Sequence, residues 1–188
     1  MKNLAPIILF AYNRPFHTQE TLHYLSQNIL AEESTLIVYC DGAKQDASEE
    51  NKQKIKQVRE LVKAQNWPKE IQVIESEANR GLANSIINGV REVTEKYGKA
   101  IVLEDDIITS KYFLKYMNDA LNMYEDVEQV LSIGSCNFFA HEQNTPETFF
   151  IPIPDCWGWA TWKDRWQLFE KDGSKLLAQL QNKKLIDS

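Results

Sequence analysis

The chain is short of several things, and each shortage removes a class of protein. Three cysteines in 188 residues, Cys40, Cys136 and Cys156, are odd in number and widely spaced. They fit neither a disulfide framework nor a Cys-x-x-Cys metal site, and they read as small buried residues. The three histidines, His17, His23 and His141, have no metal-ligand spacing, which argues against a histidine-ligated zinc site. The longest apolar runs, such as Ile7 to Ala11 and Leu36 to Cys40, fall far short of the roughly 18 to 20 residues that span a bilayer. No transmembrane segment is expected, although peripheral membrane association stays open. The first residues lead straight into a strand-like run without the features of a signal peptide, so a cytoplasmic location is expected. Positive charge is also in deficit: 21 Lys and Arg against 27 Asp and Glu give a net charge of −6, which argues against nucleic acid as a partner. An anionic ligand would then need a local cation, an arginine or a helix N-terminus.

What is present is enough for a core. A hydrophobic fraction of 43% over 188 residues, with no low-complexity tract, fits a single domain over 1–188. Continuous apolar runs alternate with helical periodicity four times. Pro6 to Ala11 precedes Leu22, Leu25 and Ile29, and Thr35 to Cys40 precedes a helix opened by Glu49 and Glu50 after Ser48. Ile71 to Ile74 precedes a stripe of Leu82, Ile86, Val90, Val93 and Tyr97 that Gly98 caps. Ala100 to Leu103 precedes a helix capped by Ser110 that carries Phe113, Leu114, Met117, Leu121 and Tyr124. Strands that are apolar throughout belong to a mostly parallel sheet flanked by helices, and such α/β sheets bind ligands beyond the strands' carboxyl ends. The residues just after each strand are therefore the ones to weigh: Tyr12 to Arg14, Asp41-Gly42, Glu75 to Gly81 and Glu104 to Asp106.

Glu104-Asp105-Asp106 is the sharpest of these, because carboxylates clustered at a strand end can hold a hard divalent cation beside a diphosphate. A solvated acidic turn is the alternative. Asp41-Gly42 suits a turn for local reasons as well as a ligand contact, Asn79-Arg80-Gly81 suits the start of a helix, and Arg14 could simply face solvent. Beyond Ile133 the pattern loosens. Gly134 to Pro154 is rich in Asn, Thr and Pro, and four of the five tryptophans fall between positions 157 and 166. Trp159, Trp162 and Trp166 stand at helical spacing and read as core, whereas Trp157, just before Gly158, is placed to stack on a sugar ring.

In order and spacing these segments resemble glycosyltransferases of the GT-A type. Similarity to family 2 lies in Ile7 to Pro15, in Tyr39-Cys40-Asp41-Gly42 and in Asn79 to Ser85. Val102-Leu103-Glu104-Asp105-Asp106 is similar to the metal motif of N-acetylglucosaminyltransferase I. The resemblance implies a GT-A (Rossmann-like) fold, a nucleoside-diphosphate sugar donor, most often linked to UDP, and Mn2+ or Mg2+ as cofactor. It implies Asp106 as direct metal ligand, Glu104 and Asp105 toward ribose or sugar, Asp41 on the base, Tyr12 and Ala11 beside it, and Arg80 and Arg14 on the nucleotide. It further implies a nucleotide-sugar-binding part over 1–135 and an acceptor-side part over 136–188, which would take a glycan, lipid-linked or protein acceptor. An inverting transfer needs a carboxylate base, for which Asp155 is the first candidate and Asp164 the second. Two other readings remain: a nucleotide-sugar-binding module without turnover, and a sugar nucleotidyltransferase, against which stands the lack of a Gly-rich phosphate loop after the first strand.

Overall fold

The computed structural model describes residues 4–136 and 146–186. His141 and the middle of the Gly134 to Pro154 stretch lie outside them. Six strands form one sheet in the order β3-β2-β1-β4-β6-β5. β1 (Ile7–Ala11), β2 (Thr35–Cys40), β3 (Glu70–Glu75) and β4 (Lys99–Glu104) are parallel, as the apolar runs predict. β6 (Trp159–Trp162) runs antiparallel to β4 and pairs on its far side with the two-residue β5 (Ile133–Gly134). This mostly parallel α/β sheet flanked by helices is the GT-A type of architecture that the resemblance implies.

Strand period and helix stripe divide the core into two layers. Ile7, Leu9, Leu36, Val38, Ile101 and Leu103 point to one face of the sheet. They pack there with Leu22 and Leu25 of α1 (Pro15–Ser26), Val58 and Val62 of α2 (Glu49–Lys63), and Leu114, Met117 and Leu121 of α4 (Phe113–Met123). The alternate residues Ile8, Phe10, Ile37, Ala100 and Val102 meet Val90 and Val93 of α3 (Leu82–Tyr97) on the other face. β1 is buried on both faces because helices cover both and β2 and β4 flank it, whereas the edge strand β3 is only half-buried.

The helix ends follow local chemistry in most cases. The Ser48 hydroxyl accepts the Asn51 N–H at the start of α2, and Gly98 closes α3 in a left-handed conformation. α4 differs from expectation: it begins at Phe113, and Ser110 contributes its carbonyl to the Phe113 N–H instead of capping with its side chain. Ile29 likewise lies past the end of α1 and is exposed.

The tryptophan segment also differs. Trp159 to Trp162 is strand, not helix, because its backbone groups are taken up by β4 on one side and β5 on the other. Only Lys163–Trp166 turns helical, as α5. The core reading survives this change: Trp162 is buried, and Trp159 packs against Trp166 with ring centroids 5.4 Å apart over the α3 layer. Of the cysteines only Cys40 is buried, where loss of solvent pushes its thiol up to about 12. Cys136 is half-buried and Cys156 exposed. The last helix, α6 (Gly173–Asn182), is capped by Asp172 and buries none of its residues. Among the described residues no helix is long and apolar enough to cross a membrane.

Candidate functional site

The chain reverses direction across the sheet at β1: β1 to β3 are laid down outward on one side, and β4 returns to the other. The carboxyl ends of β1 and β4 therefore meet at the topological switch point, the place where open α/β sheets bind ligands in a crevice. Ala11 ends β1, buried, and Tyr12, Asn13 and Arg14 follow it. Glu104 ends β4, and Asp105 and Asp106 follow in a turn. The sequence thus brings Arg14 opposite the acidic triplet.

The three carboxylates are not equivalent. Asp105 is buried: its Oδ2 accepts the Tyr12 N–H at 3.2 Å and lies 3.5 Å from the Thr18 hydroxyl, while its Oδ1 takes Arg14 Nη2. The resemblance would turn Asp105 toward ribose or sugar; in the structure it faces inward, against the start of α1. Asp106 is 39% exposed at the crevice, and its Oδ2 accepts Arg14 Nη1 at 2.8 Å. Glu104 is half-buried, and this desolvation raises its carboxyl above the ordinary range. Asp106 adds to the rise, Arg14 opposes it, and Asp105 adds a smaller share. The guanidinium of Arg14 is itself held above its ordinary value, because Asp105 and Asp106 outweigh its own desolvation.

The one cation that the described residues place among these three carboxylates is Arg14, which pairs with Asp105 and Asp106 and leaves Glu104 beside them. Among the described residues no group of three or more His, Cys, Asp or Glu side chains is placed to hold a metal ion. A hard cation at this edge would therefore have to take most of its ligands from phosphate oxygens and water.

A second cluster lies at the ends of β2 and β3. Asp41 Oδ1 accepts the N–H groups of Gly42 and Arg80, both at 2.9 Å, and its Oδ2 accepts that of Gly81 at 3.1 Å. Asn79 Nδ2 donates to the Gly42 carbonyl at 3.0 Å, and Arg59 of α2 donates to the carbonyls of Ser76 at 2.7 Å and Asp41 at 3.4 Å. Asp41 thus pins the loop that launches α3, and it leaves the Arg80 side chain exposed. Gly42 permits this closeness: a Cβ there would stand 2.6 Å from the backbone carbon of Ala78. The phenol of Tyr12 accepts from Asn51 Nδ2 at 3.5 Å, and Asn51 Oδ1 takes Asn13 Nδ2 at 2.6 Å, which ties the β1 loop to α2.

Because β6 is antiparallel to β4, with Val102 opposite Trp159, the segment entering β6 lies at the same edge as Glu104 to Asp106. Asp155 is half-buried there and accepts the Trp157 N–H at 3.0 Å and the Cys136 N–H at 3.3 Å. Gly158 has φ +79, and its missing Cβ would stand 2.8 Å from the Ser135 hydroxyl. The turn leaves Trp157 54% exposed. Asp164 instead lies beyond the other end of β6, beside the start of β4, and pairs with Arg165 at 2.6 Å. His17 and His23 are exposed on α1.

Sequence reasoning missed Thr18, Asn51 and Arg59 as parts of this edge. Thr18 stands one turn after Arg14 in α1, a spacing that marks it as a neighbour once Arg14 is chosen, while Asn51 and Arg59 carry no local signal.

No curated protein matches the chain in sequence. Among solved structures, S. aureus TarS 1-349 aligns at 16% identity over 69% of this chain and 34% of its own, with a TM-score of 0.43. A form of it has been solved with UDP-GlcNAc. The mannosyltransferase PcManGT from Pyrobaculum calidifontis, in complex with GDP-Man and Mn2+, aligns at 12% identity over 72% of this chain and 36% of its own, with a TM-score of 0.48. The chain spans about a third of the length of these structures. The family described as glycosyl transferase family 2 matches residues 7–172, from the first residue of β1 through every strand and both clusters to the cap of α6, and the chain belongs to that family.

Proposed function

We propose that the chain is the donor-binding part of an inverting glycosyltransferase. It would take a nucleoside-diphosphate sugar, with UDP the first nucleotide to test, and pass the sugar to a glycan, lipid-linked or protein acceptor. The observation that carries this reading is the convergence of Arg14, Glu104 and Asp106 at the switch point, with Asp41 holding the neighbouring loop. Mn2+ or Mg2+, held by Asp106 and the donor's phosphates, would supply the charge that stabilises the leaving diphosphate. Glu104 faces the same crevice and bears on the ribose or sugar. Tyr12 stands beside the base, with Ala11 beneath it in the core and Asp41 holding the amides of Arg80 and Gly81 near it. The exposed guanidinium of Arg80 reaches the nucleotide. Asp105 acts from beneath, fixing Arg14 and the Tyr12 backbone.

In the transfer step the acceptor oxygen bonds to the anomeric carbon as the bond from that carbon to the diphosphate oxygen breaks. The acceptor proton passes to a carboxylate. Asp155 is the base assigned to this step, and Trp157 offers an exposed ring to the acceptor sugar. One observation favours a second reading, a binding module without turnover: both Asp155 oxygens already accept backbone amides.

Transfer to a simple sugar acceptor, followed by nuclear magnetic resonance of the product's anomeric proton, separates these readings. The enzyme reading expects an inverted product. It also expects Asp155→Asn to bind donor normally yet transfer roughly 100- to 10,000-fold more slowly, the span of general-base contributions. A retained anomer would overturn the mechanism, and donor binding with no product from any acceptor would favour the binding module.

A further inference from the structure

The two ends of the Arg14 fork are unequally held. Its backbone is fixed at the start of α1, where its carbonyl accepts both the N–H and the hydroxyl of Thr18 at 2.9 Å. Nη2 grips Asp105, a side chain only 3% exposed that the Tyr12 N–H also holds. Nη1 grips Asp106, which is 39% exposed at the crevice. The first contact is part-buried and braced on its carboxylate side, and the second is open to solvent and to exchange. Half-exposed pairs of this second kind are weak.

We propose that Arg14 is an electrostatic latch on this site: its guanidinium occupies Asp106 until a divalent cation takes that carboxylate, and the released Nη1 then receives the donor's diphosphate. The inference rests on the metal reading above and states how that site is regulated. Asp106 cannot serve a guanidinium and a divalent cation equally, because the two positive charges repel across it. Loading the site therefore moves Nη1 off Asp106 while Asp105 keeps Nη2 in place. What remains is an arginine anchored at one end and offering N–H donors at the other, the geometry that suits phosphate oxygens. Cation and nucleotide then favour each other. The cation frees the donor groups that the diphosphate needs, and by linkage the diphosphate tightens the cation to the same extent. The cation alone binds weakly.

Arg14→Lys tests this without stranding Asp105, since an ammonium can pair with one carboxylate but cannot fork to both. Mn2+ binding is followed by loss of the free-ion signal in electron paramagnetic resonance, alone and with UDP or GDP, correcting for chelation by the nucleotide itself. The expected result is that Arg14→Lys binds Mn2+ alone about 3- to 10-fold more tightly than wild type. The tightening produced by nucleotide should shrink by a similar factor. A second measurement uses the wild type and needs no substitution: in side-chain amide NMR, Mg2+ should expose the Arg14 Nη1 protons to solvent exchange while the Nη2 protons stay protected. Equal Mn2+ affinities in the two proteins, with equal tightening by nucleotide, or Nη1 signals indifferent to Mg2+, would overturn the latch and leave the donor site standing. Absence of Mn2+ binding from every form, with or without nucleotide, would remove the metal reading and the latch together.

Discussion

Asp105→Ala is expected to destabilise the protein by about 3 kcal/mol, the largest loss from any of the crevice carboxylates. The Asp105 side chain is 3% exposed and meets Arg14, the Tyr12 N–H and the Thr18 hydroxyl. Truncation leaves a part-buried amide without its partner and an arginine without its better anchor. Breaking a buried pair costs about 3 to 5 kcal/mol, and hydrogen bonds to charged groups about 1.5 to 3 each. The lower end applies here, because Arg14 is partly exposed and water can re-solvate it. Urea denaturation gives the number directly. Asp106→Ala is the control and should stay within about 0.5 kcal/mol of wild type, since its only described pair is half-exposed. A loss below about 1 kcal/mol for Asp105→Ala would mean that the fork does not organise the β1 and β4 ends.

Gly42→Ala is the second large effect, with an expected loss of about 3 kcal/mol or more and a fall in nucleotide affinity. The new Cβ would stand 2.6 Å from the carbonyl carbon of Ala78 and 2.8 Å from its nitrogen and oxygen. These are backbone atoms, so no side-chain rotation relieves the clash. The loops cannot part freely either, because Asn79 and Asp41 tie them together on both sides of the contact. Separation would break the Asp41 hydrogen bonds that position the Arg80 and Gly81 amides. For a chain of this size the melting temperature should fall by roughly 6 to 12 °C. Unchanged melting with unchanged nucleotide binding would show that the two loops do not need this contact.

The four parallel strands and their helices were legible because each strand is apolar over its whole length and each helix carries a stripe at helical spacing. The last antiparallel pair was not. Trp159, Trp162 and Trp166 stand at intervals that a helix satisfies, and only the pairing of Trp159 to Trp162 with β4 and β5 decides for a strand. That choice is made by residues distant in the chain, which local spacing does not report. The start of α4 was misplaced for a smaller reason: Ser110 has a good capping side chain, but its carbonyl is what the Phe113 N–H uses.

The candidate site divides in the same way. That Tyr12 to Arg14, Asp41 and Glu104 to Asp106 gather at one edge follows from β-α alternation alone. Which carboxylate turns inward was also written in the chain, though less plainly. Ile101 and Leu103 point to the face covered by α1, and Asp105 continues their parity toward Thr18 and Arg14. The three backbone amides on Asp41 had no such signal, because they come from a loop whose path the sequence does not specify.

The most direct test of the account is a calorimetric titration of UDP into wild type and Asp106→Ala, each with and without Mn2+. Wild type should bind UDP only with the cation, and at a UDP concentration about a hundred times the dissociation constant the fold should gain roughly 2.7 kcal/mol. Asp106→Ala should fold normally and lose that binding. UDP binding indifferent to both Mn2+ and Asp106, or no binding of UDP or GDP by the wild type, would contradict the account.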